Sequence, residues 1–353
     1  MFDQLARQDQ LLVVLIACIL ILSGFVLLFS AAAINLRIKN MRTAARWGAL
    51  EETWEPVLME YLYGEEIAEA LWAIVPTDVE LYFVEFVLRY RRRLSGDETI
   101  KIEALAQPYL PKVARRMRRR GAERRARAIQ TLGELGLQDY AEAVAKYLDD
   151  RSPLVAMSAA RALADPELPG YTNAILSRMH RFTNWRSSFL SAMLAGIGTD
   201  AAPDLRAKYE DETASPGVRA IAAGALGQLN DFKSAAIAAK ILEGKPDRDL
   251  AAESLRLLGR VGRAEDVELV RRLIQSEDAV VRGASAGALG KLGSSADSEI
   301  LRETASSDPS HWVAITAARG LRELGGVKAL RELATSSHAR APLALQVLAE
   351  VGS

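Results

Sequence analysis

A leucine returns every 31 or 32 residues through the C-terminal two thirds of this chain, at Leu132, Leu163, Leu194, Leu226, Leu258, Leu289 and Leu321, and Leu348 follows after 27. The fullest version of the surrounding segment is Gly287-Ala288-Leu289-Gly290-Lys291-Leu292-Gly293. An apolar partner stands three residues after most of these leucines, at Leu135, Ile197, Leu229, Val261, Leu292, Leu324 and Val351. Glycine often comes next, at Gly136, Gly198, Gly262, Gly293, Gly325 and Gly352, and there it predicts the end of a helix. A period of this length holds two short helices and little else. One such hairpin cannot bury its apolar face alone, so neighbours must stack and share a continuous core.

The spacing predicts a first helix over, for instance, residues 218–229 and a second over 232–242. First helices are crowded with small residues, as in 219–226 and 282–289, which lets adjacent helices approach closely. Val218-Arg219 and Val281-Arg282 are each followed by Ala-Leu-Gly-x-Leu, at Leu226 to Leu229 and Leu289 to Leu292, with Asp211 preceding the first of them. This pattern resembles HEAT repeats of the short bacterial type, a type also found in phycobilisome lyase-like proteins, over about residues 122–353. The resemblance implies an all-α fold, an α-solenoid of about seven to eight helical hairpins whose second helices line the concave side, with protein binding as the usual role. Two departures stand out: Ala164-Asp165-Pro166 replaces the glycine-ended segment in the unit at 153–184, and the last unit stops after one helix.

Ahead of the repeats, residues 1–10 form a short leader and residues 11–34 contain no charged side chain. As a helix rising about 1.5 Å per residue, that run reaches roughly 36 Å, enough to span a hydrocarbon core of about 30 Å. A cleaved signal peptide would have a shorter apolar core behind a positive leader, whereas this leader holds Asp3, Arg7 and Asp9. Leu15-Ile16-Ala17-Cys18 resembles a lipobox, but the apolar run continues sixteen residues past Cys18. Arg37, Lys39, Arg42 and Arg46 follow the span while only Arg7 precedes it, so the bulk of the chain is expected in the cytoplasm of a bacterium, attached by a single pass to the inner membrane. Residues 35–121 read as amphipathic helices or degenerate repeats, punctuated at Gly64, Pro76, Gly96 and Pro108. Their many aromatics, Trp54, Phe83 and Phe86 among them, are expected to form a core.

The 45 basic and 45 acidic residues cancel, yet residues 35–127 carry 18 Lys/Arg against 14 Asp/Glu. The excess lies in residues 112–127, nine basic side chains against one acidic. Arg115, Arg116, Arg118, Arg119 and Arg120 lie at its centre, and they must face solvent or an anion: lipid headgroups, an acidic protein or a phosphorylated ligand. Nucleic acid is not expected, since no aromatic interleaves with them. A second cationic feature follows from alignment on the reference leucines. Lys146, Arg178, Lys208, Lys240 and Arg272 stand fourteen or fifteen residues after five successive references, so stacking would set them in a ladder able to bind an acidic segment of a partner.

No catalytic constellation, metal set or cofactor motif emerges. Cys18 is the only cysteine, and His180, His311 and His338 are scattered. A phosphate loop ending in Gly290-Lys291 would need glycine where Ser285 stands. Trp312 is assigned to the core, as the counterpart of Val281. The reading that follows is a non-enzymatic, membrane-anchored scaffold or regulatory subunit binding a membrane-associated protein. The alternative is a lyase or chaperone-like factor acting on a cofactor-bearing protein.

Overall fold

The computed structural model describes residues 2–64, 67–135 and 138–350, which are helices and turns with no strand among them. Side chains of residues 2–21, 32, 39, 40 and 43 lie outside the description, and with them Cys18, Lys39 and the first part of the expected span 11–34. The chain forms two compact units, Met1–Tyr109 and Leu110–Ser353.

In the first unit, α1 (Phe2–Tyr63) is one continuous helix of 62 residues. It contains the charge-free run and extends without a break into a segment that packs against α2 (Ala68–Ile74), α3 (Glu80–Arg91) and α4 (Asp97–Ala106). The indole of Trp54, fully buried, meets Phe83 edge-on at 5.1 Å and Phe86 at 5.5 Å. Trp47 stacks on Tyr82 at 3.7 Å. The aromatic stretch is therefore a core, as its spacing suggested. Lys101 donates to the Leu62 carbonyl at 2.7 Å, placing a cation at the C-terminal end of α1 where unpaired carbonyls accumulate. Further up α1 the side chains have no partner: Leu22, Phe25, Val26, Leu27, Leu28, Phe29, Ile34, Leu36 and Ile38 are all exposed. Among the described residues no helix is long and apolar enough to cross a membrane.

The second unit opens with α5 (Leu110–Arg116). Seven hairpins follow among its described residues: α6 (Ala122–Leu135) with α7 (Ala141–Ala145), α8 (Pro153–Leu163) with α9 (Thr172–Leu176), α10 (Ser187–Ala195) with α11 (Ala202–Glu210), α12 (Pro216–Gln228) with α13 (Ala235–Glu243), α14 (Arg248–Val261) with α15 (Val267–Leu273), α16 (Ala279–Leu292) with α17 (Ser298–Ser307), and α18 (His311–Glu323) with α19 (Val327–Thr335). A single helix, α20 (Ala341–Ala349), comes last. The seven reference leucines from Leu132 to Leu321 all have no exposed surface. Leu348 does not join them. It is half-buried, and Val347 takes the core position of α20.

The residue four places after the reference leucine ends the helix in two ways. Gly198 (φ 93°), Gly325 (φ 83°) and Asn230 (φ 53°) take the left-handed conformation, which glycine and asparagine tolerate best. Gly262 and Gly293 stay extended and donate to the carbonyls of Leu258 and Leu289 at 2.7 and 2.8 Å. Gly136 and Gly352 lie outside the described residues.

At every step but one the first helix stacks on the next, closely enough that some positions admit no side chain. A Cβ on Gly290 of α16 would stand 2.3 Å from the Cα of Gly320 in α18. The step from α8 to α10 breaks this pattern: there α8 meets α9 and the turn Met179–Phe182 instead of the following first helix. That step holds Ala164-Asp165-Pro166, so the sequence departure coincides with a departure in stacking.

Candidate functional site

The joints between repeats use charge pairs that the sequence pattern did not single out. Arg125 of α6 grips Asp150 with two hydrogen bonds, Nε to Oδ2 at 3.0 Å and Nη2 to Oδ1 at 2.8 Å. Its Nη1 donates to the carbonyls of Arg119 and Arg120, so one guanidinium ties the turn before its own helix to the turn before the next. Arg282 repeats this in α16: Nε and Nη2 hold Asp308 at 2.7 and 3.2 Å, and Nη1 donates to the carbonyls of Ser276 and Glu277, both at 2.9 Å. Asp150 and Asp308 also accept from the amides of Ser152 and Ser310. Burial pushes the Asp308 carboxyl up, but Arg282 and the Ser310 amide outweigh it and hold the group below the usual carboxylate range. Arg125 and Arg282 each lie seven residues before a reference leucine, with an aspartate 25 or 26 residues on, a spacing that could have been read.

The five ladder cations stand on second helices or on the turns that continue them. Three are engaged. Arg178 reaches back one repeat to Asp149 at 2.7 Å, and Lys240 does the same to Glu210 at 3.2 Å. Lys208 pairs with Asp211 at 2.8 Å within its own repeat. Arg178 holds the Asp149 carboxyl below its ordinary range. Lys146 and Arg272 are exposed and have no ion-pair partner among the described residues. Carboxylates alternating with cations along this face leave the free positive charge at those two positions.

The arginine run divides in a different way. Arg115, Arg118, Arg119 and Arg120 are exposed, whereas Arg116 is half-buried and engaged, and Arg125 is the buried joint. Burial pushes the Tyr147 phenol up while the positive charges of Arg118 and Arg125 oppose it, which places Arg118 beside the α7 end of the hairpin. Of the residues expected to fix topology, Arg37 and Arg42 are exposed and Arg46 pairs with Asp78 at 2.6 Å.

On the first-helix face, a cleft of about 470 Å³ is lined by Ser187, Ser191, Gly224, Gly227, Glu253 and Arg256, and one of about 290 Å³ by Gly283, Gly287, Lys291, Trp312 and Thr316. Trp312 is not core. It is 45% exposed, and its ring lies where a Cβ on Gly283 would be, 2.0 Å away. The 32-residue step from Leu289 to Leu321 makes Val313, fully buried, the true counterpart of Val281, so the assignment was off by one residue. Among the described residues no group of three or more His, Cys, Asp or Glu is placed to hold a metal.

A family model described as "HEAT repeats" matches residues 236–322, the stretch from α13 to α18. No curated protein matches the chain. Similar solved structures include the complex of CpcE and CpcF of phycocyanin lyase from Nostoc sp., at 18% identity over 69% of this chain and 88% of that one, with a TM-score of 0.36. An engineered protein matches at 19% identity over 68% and 95% of the two chains, TM-score 0.28. Kap121p bound to RanGTP matches at 11% identity over 88% of this chain and 47% of that one, TM-score 0.34.

Proposed function

We propose that the chain is a non-enzymatic HEAT-repeat scaffold, held at a bacterial inner membrane by residues 11–34 with the residues beyond them in the cytoplasm, and that it binds a membrane-associated protein partner. The observation that carries the membrane part is the bare apolar surface of α1 between Leu22 and Ile38, nine large side chains without a partner on a helix whose next segment is well packed. Burying each such side chain is worth about 1.5–3 kcal/mol, so a helix of this kind calls for a lipid environment. Stacked HEAT hairpins over 236–322 and an exposed second-helix face support the protein-binding part. On that face Lys146 and Arg272 are the free charges offered to an acidic segment, with Arg178, Lys208 and Lys240 partly satisfied by their own carboxylates. The charged groups packed between repeats act as joints, and no chemistry is assigned to them.

Reporter fusions test the arrangement. A fluorescent protein placed after Ser353 is expected to be bright and alkaline phosphatase there inactive, because the cations at 37, 39, 42 and 46 hold that side in the cytoplasm. An active phosphatase would overturn the orientation, and release of the full chain from membranes by alkaline carbonate would overturn the anchor.

A further inference from the structure

The second unit spends many of its arginines on its own carboxylates: Arg178, Arg206, Arg271, Arg282 and Arg319 are each paired. Around the turn between α5 and α6, unpaired arginines cluster. Arg115, Arg118, Arg119, Arg120 and Arg124 are exposed within ten residues and none has a carboxylate partner among the described residues. Arg115 makes only a hydrogen bond to the carbonyl of Pro111, one turn back. We infer that this turn is an adsorption surface for the anionic phosphate headgroups of a lipid leaflet.

Three observations lead there. The turn is held in place, because Arg125 donates to the carbonyls of Arg119 and Arg120 while gripping Asp150, so the cations cannot disperse by unwinding. The joint does not itself need them. The equivalent clamp at Arg282 holds the carbonyls of Ser276 and Glu277, a turn with no cation. Crowded like charges repel one another, and an external anionic surface relieves that repulsion. Finally, none of the exposed side chains from 115 to 124 is apolar or aromatic. A protein interface is organised around an apolar or aromatic centre and a single-stranded nucleic acid around stacking rings, whereas a charged leaflet requires neither. The inference rests on the proposed anchoring, which keeps such a leaflet close at hand.

The test uses the full chain reconstituted into nanodiscs of phosphatidylcholine, so that the α1 segment is already occupied, and then mixed with sedimentable vesicles. The vesicles are either phosphatidylcholine alone or contain phosphatidylglycerol as well. Wild-type discs are expected to co-sediment with the anionic vesicles only, and to be released as salt is raised. Each basic residue near such a surface strengthens adsorption about fivefold, so Arg115→Gln, Arg118→Gln, Arg119→Gln and Arg120→Gln together should weaken it several hundred-fold. The matching Arg→Lys variant should keep the binding, since a leaflet reads charge and not the guanidinium fork. Equal sedimentation of the wild-type and Gln forms, loss of binding in the Lys form, or capture by poly-glutamate beads without capture by anionic vesicles would each overturn the inference. A chain that does not enter the discs refutes the anchoring separately, and the same vesicle comparison on the free chain then decides the arginine turn.

Discussion

Gly227 and Gly290 occupy the same place in their repeats, one residue after the reference leucine, yet replacing each by alanine should move stability in opposite directions. A Cβ on Gly227 would meet Leu257 Cδ1 at 3.5 Å and Arg260 Cδ at 3.7 Å, ordinary contacts with flexible side-chain atoms. Alanine there removes the entropic cost of a helical glycine, a gain of up to about 1 kcal/mol. On Gly290 the same atom would stand 2.3 Å from Gly320 Cα and 3.0 Å from its carbonyl carbon and oxygen. Those are backbone atoms of the neighbouring helix, so α18 must recede by about 1 Å, and overpacking of this kind costs about 1–3 kcal/mol. Subtracting the helical gain from the upper part of that range leaves a net loss of about 2 kcal/mol. With a urea dependence of about 2 kcal/mol per molar, Gly290→Ala should lower the midpoint by about 1 M and Gly227→Ala should raise it by up to about 0.5 M, followed by circular dichroism. Native-state hydrogen exchange should localise the effect, with amides of α16 and α18 exchanging about thirtyfold faster in Gly290→Ala and those of α6 and α8 unchanged. Stabilisation by both substitutions would mean that α16 and α18 do not lie backbone to backbone, and the stacking geometry would have to be redrawn.

Asp297 supplies a pH test. Its buried carboxylate accepts from Arg271 Nε at 2.5 Å and from the Ser294 amide at 2.8 Å, and the Arg271 guanidinium holds it below the usual range. Because the folded value lies below the unfolded one of about 3.9, its contribution is present at neutral pH and lost as pH falls below about 4. Wild-type exchange protection in α17 should therefore drop on acidification more steeply than in Asp297→Asn, and parallel curves would exclude this carboxylate as a source of the pH dependence. For the second-helix strip, the joint change Lys146→Glu and Arg272→Glu should leave thermal unfolding nearly unchanged while abolishing salt-sensitive retention of the partner cross-linked to the wild-type protein in membranes. Undiminished retention would remove the strip from the interface. Lys208 and Lys240 are kept out of this set because a glutamate at either would face its present partner, Asp211 or Glu210.

How much of this was legible depends on whether a residue acts through its own repeat or through the next. Reference leucines need only local amphipathicity, and seven of them are buried where the period placed them. Trp312 was misplaced because the spacing is 31 at some steps and 32 at others, and a shift of one residue rotates a helix position by about 100°, enough to turn core into surface. The ladder positions were readable, but not their neutralisation by Asp149 and Glu210, since those carboxylates belong to the preceding repeat and their reach depends on rotamers. The partners of Arg125 and Arg282 escaped for the same reason: Arg282 was visible as part of the repeat motif and Arg125 as part of the basic run, but the aspartate each grips comes beside it only when the following turn is in place.

Those two arginines also explain how helices made of small residues can stack in a defined register. An alanine and glycine face such as 283–290 buries little surface per residue and presents few knobs, so packing alone discriminates weakly between neighbouring registers. A guanidinium that must satisfy two carbonyls on one side and a carboxylate on the other has one geometry in which all its donors are used. Sliding α16 past its neighbours by one turn would strand Asp308, a nearly buried carboxylate, without its partner, and breaking such a pair costs about 3–5 kcal/mol. The charge thus does for register what bulky side chains do in other helical stacks.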